Sequence, residues 1–465
     1  MTLYLEKPQP KQILFLQDTH RYVAYGGARG GGKSWAVRTK AILLSLRYPG
    51  IKILIVRRTY EELEKNHVDY LKPILHDTGI AKYNHQKKRF TFFNGSIIQL
   101  GYCKNDKDAQ QYQGQEYDII FFDEATQLTE DQIKKILACN RGANPNYPKR
   151  AYFTCNPGGP GHNYIKRLFI DRQFIGKEKP EQYSFIQAKV QDNSVLMKDE
   201  TYVAFLETLP PKLRKAWLEG EWDIFEGQFF EDFVDSPKHY IDRRFTHVIE
   251  PFEIPSSWTI YRSYDHGYAK PFSVGWWAID YDGRAYRILE LYGCKEENNV
   301  AIPDEGKKWN SHEIFKKISE IENSQRWLKG KKIIGVADPA IWQENGGTSI
   351  ADVAAQYGIY FNKGDNSRLP GWEQVHYRFM FDDEGLPMMY VFNNCKQFIR
   401  TMPLLQYSET VPEDLDTKQE DHIADETRYF CMTNPIKPVE VKVETPNDFD
   451  PLNMRNSYGN ILINR

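Results

Sequence analysis

Residues 25–34 read Tyr-Gly-Gly-Ala-Arg-Gly-Gly-Gly-Lys-Ser and decide the fold of the first half of the chain. They fit the phosphate-loop pattern Gly-x-x-x-x-Gly-Lys-Ser/Thr, with Gly27 and Gly32 as its fixed glycines. The apolar run 22–25 predicts a strand before the loop, and apolar spacing predicts a helix over 35–46. Backbone N–H groups at the start of such a helix bind phosphate oxygens, and the helix dipole favours the negative charge. The pattern therefore predicts a nucleoside triphosphate site.

The motif assigns a role to each of its polar residues. Lys33 is expected to contact the β- and γ-phosphates, and Ser34 the Mg²⁺ that accompanies them. Gln12, shortly before the loop strand, is suited to read an adenine edge through its two-faced amide, and a plain surface glutamine is the alternative. The residues predicted to surround the phosphates are Gly27, Ala28, Arg29, Gly30, Gly31, Gly32, Lys33 and Ser34.

Two further strand tips carry polar residues. The apolar run 117–122 predicts a buried parallel strand that ends at Asp123 and Glu124. Asp123 is expected to hold Mg²⁺, directly or through water, and Glu124 to polarise the water that attacks the γ-phosphate. Asn156 follows the strand predicted over 150–154, where an amide would sense the nucleotide; a turn begun by Asn is the alternative.

The rest of the first half alternates strands with helices. A buried strand is predicted over 51–56, a helix over 60–75, and a hairpin whose strands flank Asn94-Gly95. This alternation predicts an α/β domain with a mainly parallel sheet and a site at the carboxyl ends of its strands. Residues 226–254 are aromatic, irregular and proline-bearing, which predicts a linker.

Composition excludes several classes of protein. A chain of 465 residues is expected to form two or three domains, and its formal net charge of −2 carries no global signature of nucleic-acid binding. The six cysteines are scattered without metal-ligand spacing, which favours a reducing compartment. No apolar run approaches a membrane span, and the N-terminus is unlike a signal peptide, so we expect a soluble intracellular protein.

Acidic residues also end the predicted strands of the second half. Asp265 ends a strand over 258–265, and two strands around the Asp282-Gly283 turn complete an antiparallel meander of three. Asp338 ends a further apolar strand over 333–338. Asp265 is expected near the rim of the first strand of the meander.

A helix near the C-terminus adds the last acids. Asp421, His422 and Asp425 fall within one helical turn, with 421 and 425 on one face. Strands with terminal acids followed by an acid-bearing helix are the layout of an RNase H-like core. Its chemistry uses two divalent ions about 3.5–4 Å apart, and carboxylates suit Mg²⁺ or Mn²⁺. The weaker alternatives as ligands are Asp280, Asp282 and Glu290.

Taken in order, these motifs resemble the large subunit of tailed-bacteriophage terminases, DNA-packaging motors with an ATPase half and a nuclease half. The resemblance extends over nearly the whole chain. The motifs that carry it are Gly27 to Ser34, Phe122-Asp123-Glu124, Thr154-Cys155-Asn156-Pro157, Gly220-Glu221-Trp222, Asp265-His266-Gly267, Asp338-Pro339-Ala340, Gly346-Gly347-Thr348-Ser349 and the segment from Asp421 to Tyr429.

The resemblance implies roles in ATP hydrolysis. It implies that Lys33 and Ser34 bind ATP with Mg²⁺, that Glu124 is the hydrolytic base, and that Gln12 reads adenine. Asn156 would couple hydrolysis to movement, which favours the functional interpretation of this residue over the turn.

Arginines and nuclease acids also receive implied roles. Arg29 would stabilise charge within the loop, and Arg141 would be an arginine finger supplied to a neighbouring subunit. The competitors for the finger are Arg57, Arg58 and Arg150. The implied metal ligands of the nuclease are Asp265, Asp338 and Asp425, with Asp421 and His422 as further candidates.

The implied architecture has four parts. A P-loop ATPase domain of the additional-strand, catalytic-glutamate (ASCE) type would cover 1–225, a linker 226–254, an RNase H-like nuclease domain 255–433 and an extended tail 434–465. The implied partners are double-stranded DNA, the portal protein of the procapsid, the small terminase subunit and further copies of the chain in a ring such as a pentamer. A monomer is the alternative for the isolated chain, and the place of action would be the host cytoplasm, without a membrane.

Two other functions fit some of the same residues. A repair-type ATPase–nuclease acting on free DNA would be expected to carry helicase motifs between the halves, and the sequence shows none. A scaffolding protein that keeps the ATP-binding fold as a switch would not need the Asp123-Glu124 pair or the acids of the second half. We therefore expect ATP-driven translocation of viral double-stranded DNA into a procapsid, with metal-dependent endonucleolytic cleavage of concatemeric DNA.

Overall fold

The computed structural model describes residues 3, 5–28, 30–199, 208, 220–223, 225, 227–408 and 410–436. Arg29 and most of the predicted tail, residues 437–465, lie outside this part of the chain. Within it, no helix is long and apolar enough to cross a membrane. All six cysteines are buried, and their thiols are unpaired.

An eight-stranded sheet organises the first half. Its strands are β1 (Tyr22–Gly27), β2 (Lys52–Arg57), β3 (Ala81–Asn84), β4 (Arg89–Phe92), β5 (Ile97–Tyr102), β6 (Ile119–Phe122), β7 (Arg150–Cys155) and β8 (Tyr183–Ala188). They lie in the order β3-β4-β5-β2-β6-β7-β1-β8. The pairs β3/β4 and β4/β5 are antiparallel and the others parallel, which confirms the predicted mainly parallel sheet. Strand β7 separates β1 from β6, as the additional strand of an ASCE fold does.

Helices cover both faces of this sheet. The helices described in this half are α1 (Pro10–Gln17), α2 (Lys33–Arg47), α3 (Tyr60–Leu63), α4 (Asp69–Leu71), α5 (Asp106–Gln110), α6 (Glu130–Leu137) and α7 (His162–Ile165). Successive side chains of a strand point to opposite faces. Ile53 and Ile55 of β2 accordingly pack in one core, and Leu54 and Val56 in the other. Burial on both faces explains why these strands are apolar without alternation.

The helix predicted over 60–75 is confirmed, but its geometry is not α-helical throughout. The segment is helical, but π-helical turns at Glu64–Val68 and Lys72–His76 interrupt the α-helical geometry. In such a turn each N–H bonds to the carbonyl five residues earlier instead of four. Pro73 lies in the second turn and has no N–H for an α-helical bond, which is one physical reason for the irregularity.

A seven-stranded sheet organises the second half. Its strands are β9 (Val248–Ile249), β10 (Thr259–Asp265), β11 (Ser273–Ile279), β12 (Ala285–Tyr292), β15 (Ile333–Ala337), β18 (Asn362–Lys363) and β19 (Met389–Phe392). The two short hairpins are β13 (Cys294–Glu297) with β14 (Val300–Gly306), and β16 (Glu344–Asn345) with β17 (Thr348–Ser349). The sheet order is β18-β15-β10-β11-β12-β19-β9. The antiparallel meander β10-β11-β12, with β15 parallel to β10, confirms the predicted RNase H-like arrangement.

Helices and the residues after 226 complete the second core. The helices are α8 (Ser311–Ser324), α9 (Ile350–Gln356), α10 (Arg368–Phe379), α11 (Lys396–Thr401) and α12 (His422–Thr433). Helix α12 packs across β10 and β11. Phe229, Phe230 and Phe233, from the segment predicted as a linker, are buried in the same core, and β9 extends the sheet. The boundaries of the domains stay a prediction.

Candidate nucleotide and nuclease sites

The phosphate loop follows β1, which lies between β7 and β8. Side chains of the surrounding protein bond to its carbonyl oxygens. The donors are Tyr25 Oη to Gly31 O at 2.9 Å, Gln12 Nε2 to Gly32 O at 3.1 Å, and Asn193 Nδ2 to Gly30 O. In a planar trans peptide the N–H points opposite to the C=O. The N–H groups of Gly31, Gly32 and Lys33 therefore face away from these donors, as a phosphate cradle requires.

Gln12, predicted to read an adenine edge, contacts the phosphate loop in the structure. Its side chain is buried, and its amide is used at both ends, because Oε1 accepts from the Gln9 N–H at 2.8 Å while Nε2 donates to Gly32. This arrangement makes Gln12 a support of the phosphate loop. Its reading of an adenine edge stays a prediction.

A chain of hydrogen bonds joins three residues that the sequence singled out. Lys33 Nζ donates to Asn156 Oδ1 at 2.7 Å, and Asn156 Nδ2 donates to Glu124 Oε2 at 2.9 Å. Lys33 Nζ also donates to Ala28 O at 2.6 Å, so the ammonium lies against the loop. Asn156 therefore contacts both the predicted phosphate-binding lysine and the predicted base. Ser34 lies in the first turn of α2, directly after Lys33.

The backbone of Glu124 has an uncommon conformation. Its φ of 57° and ψ of 53° are left-handed, which costs a residue other than glycine about 1–3 kcal/mol. The Glu124 N–H donates to Thr154 Oγ1 at 2.9 Å, which holds the turn against β7. Such strain clusters at active sites and persists only where the surroundings enforce it.

Asp123 is fully buried, and its carboxylate contacts three side chains. Thr154 Oγ1 donates to Oδ1 at 2.6 Å, while His67 Nε2 at 2.9 Å and Arg57 Nη1 at 3.2 Å both contact Oδ2. Burial opposes ionisation, but the contact with His67, the charge of Arg57 and the hydrogen bond from Thr154 hold the pKa of Asp123 below its ordinary value. A metal near Asp123 would therefore share a carboxylate that already has protein partners.

Sequence reasoning missed two of these contacts. His67 lies 56 residues from Asp123 inside a predicted helix, and no motif points to it. Arg57 is one of the competitors for the arginine finger, and the structure places it beside Asp123 of its own chain.

The other arginines lie apart. Arg150 is the first residue of β7. Arg141 is exposed, and its backbone N–H donates to Cys139 O beside the start of β6. Both arginines therefore lie at the amino ends of the strands, at the edge of the sheet opposite to the phosphate loop. Arg58 lines a surface cavity with Gln127 and Gly159. The structure thus does not bring Arg141 to the site of its own chain.

The acids of the second half converge at one edge of the other sheet. Tyr264 pairs with Ala337 across β10 and β15, so Asp265 and Asp338 follow neighbouring parallel strands. The Asp338 N–H donates to Tyr264 O at 3.1 Å, and His422 Nδ1 is 3.2 Å from Asp265 Oδ2. The helix that begins at His422 thus meets the strand tips, as the sequence predicts.

The electrostatics of this cluster favour a bound cation. Burial, with the nearby charges of Asp425 and Asp338, raises the pKa of Asp265 to about 7, although the hydrogen bond from His422 opposes this. Burial and the charge of Asp425 likewise raise the pKa of Asp421 to about 7. Burial and mutual repulsion disfavour ionisation of these carboxylates, and a divalent ion bound among them would stabilise their ionised forms.

Protein groups occupy part of this cluster. Asp425 Oδ1 accepts from Arg428 Nε at 3.0 Å and Nη2 at 2.8 Å, and Asp338 Oδ1 accepts from the Ala340 N–H at 2.9 Å. In the described part of the chain, no group of three or more His, Cys, Asp or Glu side chains is already arranged to hold a metal. The donor chemistry fits Mg²⁺ or Mn²⁺, and a metal bound by Asp425 would share its carboxylate with Arg428, which contacts Oδ1.

One neighbour of the acidic cluster is not predicted by the sequence, and the weaker candidates for metal ligands have other contacts. Asp304, on strand β14, is 3.4 Å from His422 Nε2, and no sequence motif marks it. Glu290 accepts the N–H groups of Gln397 and Phe398 at the start of α11. Asp280 accepts from the Arg284 N–H within a turn that also contains Asp282.

Comparison with known families identifies the first part of the chain. Residues 24–232, which include the phosphate loop, Asp123, Glu124 and Asn156, match the family model described as terminase large subunit, T4-like-virus type, N-terminal. This part belongs to the terminase large-subunit family. The resemblance predicted from the sequence is therefore confirmed there. No curated protein matches the chain.

Solved structures of terminases are similar over longer spans. The large terminase of the thermophilic bacteriophage D6E, in complex with ADP, is 20% identical, with 91% of this chain and 98% of that chain covered and a TM-score of 0.41. The bacteriophage HK97 large terminase is 11% identical, with coverages of 92% and 94% and a TM-score of 0.41. The P22 large terminase nuclease domain is 19% identical, with coverages of 45% and 92% and a TM-score of 0.32. At these scores, function has to come from the geometry of this chain.

Proposed function

We propose that this terminase large subunit is the ATP-driven motor that moves viral double-stranded DNA into a procapsid and cuts concatemeric DNA. The observation that carries the proposal is the hydrogen-bonded chain from Lys33 through Asn156 to Glu124 at the phosphate loop. It joins a phosphate-binding group, an amide that can respond to the nucleotide and a carboxylate that can accept a proton. A loop that only held nucleotide would not require this arrangement.

The proposed ATPase would use the groups around the phosphate loop. Backbone N–H groups and Lys33 receive the phosphates, and Ser34 and Asp123 would hold Mg²⁺, which neutralises phosphate charge when bound. Glu124 orients water and accepts its proton. As phosphate draws Lys33 Nζ away from Ala28 and Asn156, the Asn156 amide loses one partner and is free to rearrange.

The rearrangement has a route to the second half. Asn156 begins the loop that contains Gly159, whose carbonyl oxygen accepts a hydrogen bond from Gln406 Nε2 at 3.0 Å. Asn156 O itself accepts from Thr126 Oγ1 at 2.9 Å. A change at the nucleotide would therefore reach a residue of the nuclease half through one loop, which supports the role of Asn156 in coupling hydrolysis to DNA movement.

The proposed nuclease is a metal-dependent endonuclease. Asp265, Asp338 and either Asp421 or Asp425 would hold one or two Mg²⁺ or Mn²⁺ ions, which activate water and stabilise the leaving oxygen in this class of reaction. His422 orients Asp265 through their contact. The duplex would be bound through its phosphates, so binding should weaken as salt rises.

The proposed assembly is a ring of copies on the portal, with the small terminase subunit selecting the DNA. Arg141 is exposed and far from its own phosphate loop, so only a neighbouring subunit could receive it as a finger. Arg29 keeps its proposed role in stabilising charge within the loop.

The test uses the full chain with two single variants. Glu124→Gln should lower the ATPase kcat by about 10²–10⁴-fold, the usual contribution of a general base, while Mn²⁺-dependent plasmid cutting persists. Asp265→Asn should have the opposite pattern. Glu116→Gln, an exposed glutamate, is the control and should change neither activity. Undiminished ATPase activity in Glu124→Gln would remove Glu124 from the proposed role.

A further inference from the structure

His67 is a buried polar residue that neither the motifs nor the proposed reaction accounts for. Its side chain is fully buried, and the nearby Leu63, Val68 and Leu71 are fully buried as well. Nε2 lies 2.9 Å from Asp123 Oδ2, and Nδ1 has no hydrogen-bond partner among the residues that the structure describes. An apolar side chain would fill this position without leaving a buried nitrogen unpaired, which costs stability. The contact with Asp123 is therefore the one evident reason for a histidine here.

The local backbone is shaped to make that contact. His67 lies in the π-helical turn Glu64–Val68, and single π-helical turns occur frequently at functional sites. Arg38 of helix α2 donates to the carbonyl oxygen of Asn66, the residue before His67. Since α2 begins in the phosphate loop, the turn that carries His67 is anchored to the element that receives the nucleotide.

The other two partners of Asp123, Arg57 and Thr154, also bond to other residues. Arg57 divides its guanidinium between Asp123 and Glu62, whose Oε2 is 3.3 Å from Arg57 Nε. Thr154 Oγ1 donates a hydrogen bond to Asp123 Oδ1 and accepts one from the Glu124 N–H. An ionised carboxylate only accepts hydrogen bonds, so the His67 nitrogen that faces it must carry the hydrogen.

We propose that His67 is a positioning residue that fixes the carboxylate plane of Asp123 for the Mg²⁺ that accompanies ATP. Without it, Oδ2 would have only Arg57, and the carboxylate would turn toward that side. The inference rests on the proposed ATPase function. Partners that orient a metal-binding carboxylate usually contribute about 10–100-fold to metal affinity or activity.

The experiment compares two substitutions in the full chain. His67→Phe keeps a planar ring and removes the donor, whereas His67→Gln places an amide N–H where Nε2 lies. A fluorescent ADP analogue is titrated in EDTA and in increasing Mg²⁺, and the ATPase rate and the melting temperature are recorded for each variant. His247→Phe removes another fully buried histidine, in the second half, and is the control for loss of packing.

His67→Phe should need about 10–100-fold more Mg²⁺ for half-maximal analogue binding and ATPase activity, with analogue binding in EDTA unchanged. His67→Gln should restore the Mg²⁺ requirement, and His247→Phe should lower only the melting temperature. A wild-type Mg²⁺ requirement in His67→Phe, or an equal shift in both His67 variants, overturns the proposal.

Two further outcomes, an unfolded His67→Phe variant and an inactive unmodified chain, have their own interpretation. If His67→Phe does not fold, His67→Asn takes its place, because its shorter amide cannot reach Asp123, and the same criteria apply. If the unmodified chain shows neither analogue binding nor ATPase activity, the proposed function fails and the role of His67 fails with it.

Discussion

Removal of Glu426 should destabilise the second half of the protein severely. Glu426 lies on helix α12, and its carboxylate is fully buried against three strands of the sheet. It bonds to Arg287 Nη1 at 2.6 Å, Ser273 Oγ at 3.2 Å, Trp277 Nε1 at 3.3 Å and Ser263 Oγ. One side chain thereby joins the helix that begins at His422 to β10, β11 and β12.

The size of the effect follows from what Glu426→Ala leaves behind. Arg287 is fully buried, and within the described part of the chain its Nε and Nη2 atoms have no hydrogen-bond partner even before the substitution. Glu290 is 3.9 Å from Arg287 Nε and can compensate only in part. Breaking a buried ion pair by removing one partner costs about 3–5 kcal/mol. For a unit of this half's size, that corresponds to a decrease of about 6–20 °C in the melting temperature.

Tryptophan fluorescence can follow this unfolding in the full chain, because seven of the ten tryptophans lie after residue 255. Glu320→Ala, which removes an exposed ion pair with Lys317, is the control and should change stability by less than about 0.5 kcal/mol. The double variant Arg287→Met with Glu426→Leu should recover most of the loss, since apolar groups often replace a buried ion pair without cost. If Glu426→Ala has the same melting temperature as the Glu320→Ala control, the reasoning about this ion pair is refuted.

Two further predictions concern the nuclease acids and the phosphate loop. Since the folded pKa values of Asp265 and Asp421 are about 7 against 3.8 for the unfolded chain, the metal-free fold binds more protons between these values. Its stability should therefore fall as pH rises from about 4 to 7, and melting in EDTA should show a weaker pH dependence in Asp265→Asn. Gly220→Ala should weaken ATP binding, because at φ +66° its Cβ would lie 2.9 Å from the Gly27 backbone. Gly227→Ala, at φ +91° and with no described atom within 4 Å of the added Cβ, should leave calorimetric ATP affinity unchanged.

Some expectations held because they depended on short stretches of chain. The hairpin at Asn94-Gly95 forms between β4 and β5, since its turn preference is a property of the two residues themselves. The strand tips at Asp265 and Asp338 were recognised for a similar reason, because each acid ends a run of apolar residues. The helix predicted over 60–75 also forms, but its π-helical turns depend on what the helix packs against as well as on Pro73.

The sequence by itself determined the phosphate loop, because glycines, a lysine and a flanking strand specify that backbone locally. It also determined which strands end in acids, and hence the two edges at which chemistry is expected. Only the tertiary structure decided which side chains meet there. The contacts of Asp123 with His67 and of Asp425 with Arg368 join residues tens of positions apart. Such contacts form only when the strands and helices pack together, so no local sequence pattern can predict them.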